Sequence, residues 1–271
     1  MKIFIKILKW IGYILALPFV CISAVFGIIM INYRAQKYIK NKNRYFVDQR
    51  YRWLKKLIKK LFFIKRIKIR SHGLRNIPSS PCLFVYNHKS NLDGVLLVDL
   101  LIKYQTNYNA NFKFSIIAKK ETAKVGLIKN ILSLLDALYL DREDIRQQFK
   151  VFEQQNELIK NKYSILIAPE GTRIHGDELG EFKAGAIKVA YHNMIPIQPI
   201  AIYGSDGLMD KNKTHMKKDR IVYVDFLPYK KPFDFHMHNI EWYINEIRDE
   251  IHDQYKTIQN KIKSNEKVFP E

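Results

Sequence analysis

Asn87-His88-Lys89-Ser90-Asn91-Leu92-Asp93 sets an imidazole and a carboxylate five residues apart, directly behind the apolar run Cys82 to Tyr86. Brought into contact, such a pair can take a proton from a substrate hydroxyl. The carboxylate accepts from one ring nitrogen and fixes the tautomer, which leaves the other nitrogen basic. Five residues along one helix amount to roughly 500°, so inside a helix the two side chains would point about 140° apart. They meet only across a bend. The expected arrangement ends a buried strand near Tyr86, places His88 in a turn and starts a helix around Ser90 or Asn91. Asp93 then lies in the first helical turn, where the helix dipole favours a carboxylate. A plain helix cap beside an exposed histidine would use the same residues.

Further polar clusters follow two other apolar runs. Asp141-Arg142 comes after Leu138-Tyr139-Leu140, and Pro169-Glu170-Gly171-Thr172-Arg173 comes after Ile165 to Ala168. Proline ends a strand, glycine permits a tight turn, and an arginine on that turn presents a rigid fork to a phosphate. Arg142 and Arg173 at two strand ends point to a dianion site, and Lys183 in Phe182-Lys183-Ala184-Gly185 adds a cation near the same mouth. An ordinary turn carrying a Glu170–Arg173 surface pair is the competing reading.

These groups need a frame in which strand ends converge. Short apolar runs alternate with longer amphipathic ones: strands are expected at 67–69, 82–86, 114–118, 138–140, 165–168, 197–203 and 221–226. Helices are expected around 93–103, 122–135, 143–160, 184–193 and 239–262. Such alternation predicts an α/β fold, a mostly parallel central sheet flanked by helices, with functional groups past the carboxyl ends of the strands. Cys21 and Cys82 stand in unlike settings with no paired framework, and no CxxC or HExxH companions the histidines. Neither a structural disulfide nor a zinc site is expected.

The chain has 271 residues and a net charge of +20. Residues 1–70 hold eighteen Lys and Arg against the single acid Asp48, so +17 of that charge lies there and about +3 is left for the other 201 residues. The charge flanks a 22-residue apolar run, Trp10 to Ile31, which as a helix reaches about 33 Å. This distribution favours membrane lipids of an anionic leaflet as partners and disfavours nucleic acid. Over 46–64 a helical wheel puts Val47, Tyr51, Trp53, Leu54, Leu57, Ile58, Leu61 and Phe62 on one half, with Arg52, Lys55, Lys56, Lys59 and Lys60 on the other. That pattern predicts a basic interfacial helix with its aromatics in the acyl boundary, a plain core helix being the alternative. The expected organisation is a membrane anchor over 1–64, a catalytic domain over 65–235, and a C-terminal helix and tail over 236–271. Basic residues flank the apolar run on both sides. It either spans the cell membrane, with the catalytic part on the cytoplasmic side, or bends at Pro18 and dips into one leaflet. Labelling of a cysteine placed before Trp10 separates the two.

With these blocks in hand, the chain resembles the 1-acyl-sn-glycerol-3-phosphate acyltransferases and the wider glycerolipid acyltransferase superfamily. The resemblance covers roughly residues 80–205. It rests on Asn87-His88 through Asp93, on Leu138 through Arg142, on Pro169 through Arg173 with Phe182 through Gly185, and on Ile195 through Ile200, in that order. It implies transfer of a fatty acyl group from a thioester to the sn-2 hydroxyl of lysophosphatidate, giving phosphatidate. On the same ground His88 would be the general base and Asp93 its orienting partner, while Arg142, Glu170, Gly171, Thr172, Arg173 and Lys183 would hold the acceptor's phosphate. No bound cofactor is implied; acyl-CoA or acyl-acyl carrier protein would be the donor, the carrier protein then being a partner. Glycerol-3-phosphate or another lysophospholipid as acceptor, and a non-catalytic lipid-binding tether, are the alternatives. The chain departs from the pattern at Lys89, where similar enzymes often have glutamine, and at Asp136-Ala137, where glycine is frequent.

Overall fold

The structure is a computed structural model and describes residues 2–208 and 220–270. Among these residues seven strands form one sheet: β1 (Ile67–His72), β2 (Leu83–Tyr86), β3 (Lys113–Lys119), β4 (Leu138–Leu140), β5 (Tyr163–Ile167), β6 (Ile197–Tyr203) and β7 (Arg220–Phe226). Their order is β1-β7-β6-β2-β5-β3-β4. β6, β2, β5, β3 and β4 run parallel, so their carboxyl ends share one edge. β7 pairs antiparallel to β6 and parallel to β1, so this pair runs the other way. The sheet is thus mostly parallel, as the alternating pattern requires.

The faces of β2 explain its sequence. All four residues are buried because helices cover both sides, the condition under which a strand reads as an unbroken apolar run. Phe84 and Tyr86 enter one core with α2 (Val47–Lys65) and α3 (Asp93–Asn107), whereas Leu83 and Val85 enter the other. That second core is closed by residues of α5 (Ile145–Lys160), α6 (Lys188–Asn193) and α7 (Pro232–His236) and by α8 (Ile240–Lys263). The C-terminal helix is therefore part of the catalytic body.

α1 (Lys2–Lys40) runs as one helix through Pro18 and contains the stretch Trp10–Lys40, long and apolar enough to cross a membrane. Its outer face is a row at helical spacing, Leu15, Phe19, Ile22, Phe26 and Ile29, each more than half exposed. The basic amphipathic helix over 46–64 is present, but its apolar face packs in the protein core, the alternative to an interfacial placement. Tyr51, Leu54, Ile58 and Phe62 of α2 are buried in the core, and Val47, Trp53, Leu57 and Leu61 pack against it. The apolar face of α2 is consumed by protein contacts, whereas the apolar row of α1 is exposed.

Asp136 ties these helices to the sheet edge. Its backbone is left-handed, with φ of 51°, a conformation that glycine takes freely and Asp tolerates. One carboxylate oxygen accepts from Tyr38 Oη at 2.7 Å and Lys42 Nζ at 2.9 Å, the other from Arg50 Nη1 at 2.8 Å and Tyr163 Oη at 3.3 Å. Burial alone would raise the carboxyl, but Arg50, Tyr38 and Lys42 outweigh it and hold it below the usual carboxylate range. The departure from glycine is thereby explained: a residue of α1, one of α2 and one of β5 all close on the turn before β4.

Candidate active site

Asn87 stands just beyond β2, where the ladder would otherwise end. Its side chain donates to Ile202 O at 2.9 Å and accepts from Ile202 N at 2.8 Å, continuing the β2–β6 pairing with an amide. This fixes the start of the turn that carries His88. α3 begins at Asp93, the first residue of the expected 93–103 stretch, but its N-cap position is Leu92, not Ser90 or Asn91, and has no side-chain cap. Asp93 supplies that capacity from inside the helix: one oxygen accepts from Lys89 N and Ser90 N, both at 2.7 Å, and lies 3.1 Å from His88 Nδ1. Asp93 is fully buried, while the His88 side chain is 22% exposed. A carboxylate can only accept, so the proton of the neutral ring sits on Nδ1 and Nε2 keeps its lone pair.

Glu170, from the turn after β5, reaches the same place. Oε1 accepts from the His88 backbone N–H at 3.3 Å, and Ile174 N donates to His88 O at 2.9 Å. The two turns are laced together on both sides of the histidine. Burial pushes the Glu170 carboxyl up to about 7, opposed by the His88 N–H and the Lys89 charge. A group with a raised folded pKa is most stabilising while protonated in both states, and that benefit is lost as pH rises from the unfolded value of 4.5 through about 7. The loss is on the order of 3 kcal/mol. Glu170→Gln keeps the acceptor for the His88 N–H without the ionisation. Its melting temperature should exceed that of wild type at pH 8.5 and lie near it at pH 4.5. Parallel stability curves for the two proteins would refute the assignment.

Gly171 and Arg142 are brought together as the strand ends suggest. Gly171 has φ of 74°, and a Cβ there would lie 2.6 Å from the guanidinium carbon of Arg142. The arginine from β4 thus lies flat over the glycine turn from β5, half-buried, and burial lowers its pKa against the opposing charge of Glu121. Thr172, Arg173 and Lys183 are exposed around this point, and Lys183 N donates to Pro169 O. Arg173 and Glu170 form no ion pair: Glu170 is buried and turned towards His88, and Arg173 points out. The surface-pair reading of that turn is therefore set aside.

Lys89 was legible only as a departure from a pattern. It is 1% exposed, and its ammonium donates to the backbone carbonyls of Gly176, at 3.0 Å, and Glu178. His175 and Gly176 are held in turn by the Asp206 carboxylate in the loop after β6. A signal was present in the sequence, since a lysine between a catalytic-type histidine and a buried helix start has little solvent to reach.

Comparison with known proteins identifies the family. The acyltransferase family model matches residues 68–203. A probable 1-acyl-sn-glycerol-3-phosphate acyltransferase of Mycoplasma pneumoniae is 30% identical over 93% of this chain and 93% of its own length. Its counterpart in Mycoplasma genitalium is 32% identical over 89% and 91%. The crystal structure of the 1-acyl-sn-glycerophosphate acyltransferase of Thermotoga maritima superposes with a TM-score of 0.62 at 19% identity, covering 88% of this chain and 98% of that one. At that identity the likeness shows a shared fold. With relatives aligned over about nine-tenths of both chains and the first three blocks lying past the carboxyl ends of β2, β4 and β5, the chain belongs to the family of 1-acyl-sn-glycerol-3-phosphate acyltransferases.

Proposed function

We propose that this protein transfers a fatty acyl group from a thioester to the sn-2 hydroxyl of lysophosphatidate, forming phosphatidate. The observation that carries the reading is the His88–Asp93 contact at the mouth where Arg142 crosses Gly171, a proton acceptor beside a cationic cradle. The acceptor's phosphate is held by Arg142 and Arg173, with the Glu170–Thr172 turn shaping the cradle and Lys183 adding charge. His88 Nε2 takes the hydroxyl proton as the oxygen attacks the thioester carbonyl. The tetrahedral intermediate expels the thiolate, which recovers the proton from the imidazolium that Asp93 stabilises. Transfer is direct and needs no acyl-enzyme. Acyl-CoA and acyl-acyl carrier protein present the same thioester, and either serves as donor.

The enzyme works on the cytoplasmic side of the cell membrane as a monotopic protein. α1 is docked along its length on the catalytic body: Tyr13 Oη donates to Ile64 O at 3.1 Å, Lys60 Nζ to Ser23 O at 2.7 Å and Asn130 Nδ2 to Asn32 Oδ1 at 2.8 Å. A full crossing would carry the exposed Lys56 and Lys59 of α2 into hydrocarbon at a cost of roughly 3 kcal/mol each. Lying in one leaflet leaves them at the headgroups and gives Leu15, Phe19, Ile22, Phe26 and Ile29 to the acyl chains.

Competition among acceptors tests the reading. Detergent-purified protein given a labelled acyl thioester with equimolar lysophosphatidate, glycerol-3-phosphate and lysophosphatidylglycerol should place the label in phosphatidate. Label in another product would move the assignment to a sister activity.

A further inference from the structure

Lys89 follows His88 directly, and its buried ammonium is engaged by backbone carbonyls. Its two carbonyl partners belong to residues 176 and 178, in the segment that continues directly from Arg173. The ring of Tyr255 on α8 lies 5.3 Å from the ammonium and covers its other side. α8 grips the same segment farther along: Arg248 Nε donates to Gly180 O at 2.8 Å and Nη2 to Leu179 O at 3.3 Å. Backbone carbonyls of residues 176, 178, 179 and 180 are thus each held by a cationic side chain. We infer that Lys89 is a positioning residue for the acyl acceptor: with Arg248 it fastens the 174–180 segment, and so fixes Arg173 where the acceptor's phosphate must arrive.

The chemistry explains why lysine stands here. A glutamine amide has two donors on a shorter stem, whereas an ammonium on four carbons reaches two carbonyls that lie two residues apart. Because the exposed Thr172 and Arg173 lead directly into this segment, an untethered loop would have to be ordered each time an acceptor binds. That entropy is spent on affinity, and the acyl-transfer step is untouched once the acceptor is seated. The inference rests on the acceptor-phosphate reading of Arg173, and the experiment separates the two.

Lys89→Met retains the stem and removes the ammonium. In the full chain, KM for lysophosphatidate should rise about tenfold or more, as expected for losing charge-assisted hydrogen bonds, with kcat within about twofold of wild type. Amide exchange over 175–180 should quicken. Arg248→Ala should move both readouts in the same direction, and the double variant should fall short of the product of the two effects, since both act through one segment. Should Lys89→Met fail to fold, Arg248→Ala carries the same test. Unchanged KM, or a fall in kcat at unchanged KM, would overturn the inference, as would unaltered exchange. If wild type turns over another acceptor and not lysophosphatidate, the acceptor assignment fails, and the same KM and exchange comparison on that acceptor decides the tether.

Discussion

His88→Ala should lower acyl transfer by a factor of 10² to 10⁴, about 3–5 kcal/mol of transition-state stabilisation, while leaving the protein folded and bound to vesicles. The turn does not depend on the ring: Asp93 stays anchored by Lys89 N and Ser90 N, and the backbone of residue 88 stays clamped between Glu170 and Ile174. Nor does attachment, since the exposed row of α1 lies on elements that do not carry His88. Loss of rate without loss of vesicle flotation is therefore the expected pattern. A variant that keeps more than a few per cent of wild-type turnover would show that the proton leaves by another route.

Asp136→Gly should cost about 3 kcal/mol of stability, the usual scale for stranding one member of a buried ion pair. Arg50 is the member left behind: its side chain is 3% exposed, and its remaining hydrogen-bond partners, Leu134 O and the Tyr163 hydroxyl, carry no charge. Glycine is the informative replacement because φ of 51° suits it, so the measured loss comes from the carboxylate and not from backbone strain. For a chain of this size that loss lowers the melting temperature by roughly 5 °C. Thermal scans of both proteins in the same detergent would show it. A shift below 2 °C would mean that Leu134 O and the Tyr163 hydroxyl satisfy Arg50 without the carboxylate.

The elements that the apolar pattern read best are those bounded by their own chemistry. β4 and β6 fall on the expected residues because Asp141 ends one and Pro196 opens the other, whereas β1 runs on to His72 through alternating residues that an apolar run cannot capture. The helix expected over 122–135 resolves into a 3-10 turn over Lys120–Lys124 and α4 (Gly126–Ser133). Strand direction was legible for the parallel majority and not for β7, which pairs antiparallel to β6: nothing in Ile221 to Phe226 distinguishes one direction from the other. The face of α2 was read correctly and its destination was not, because a wheel separates apolar from basic without saying whether protein or lipid covers the apolar side. At the site, His88, Asp93, Arg142 and the 170–173 turn could be found by type and spacing. The Lys89 and Asp136 contacts could not, since each joins segments far apart in the chain.

Phosphatidate formation with lysophosphatidate as sole acceptor tests the central claim most directly. Wild-type protein in anionic vesicles, supplied with a labelled acyl thioester, should yield phosphatidate whose label is released by an sn-2-specific lipase, at a rate that His88→Ala reduces at least a hundredfold. Product that forms equally well with the variant, or label absent from phosphatidate when the vesicle-bound protein is folded, would contradict it.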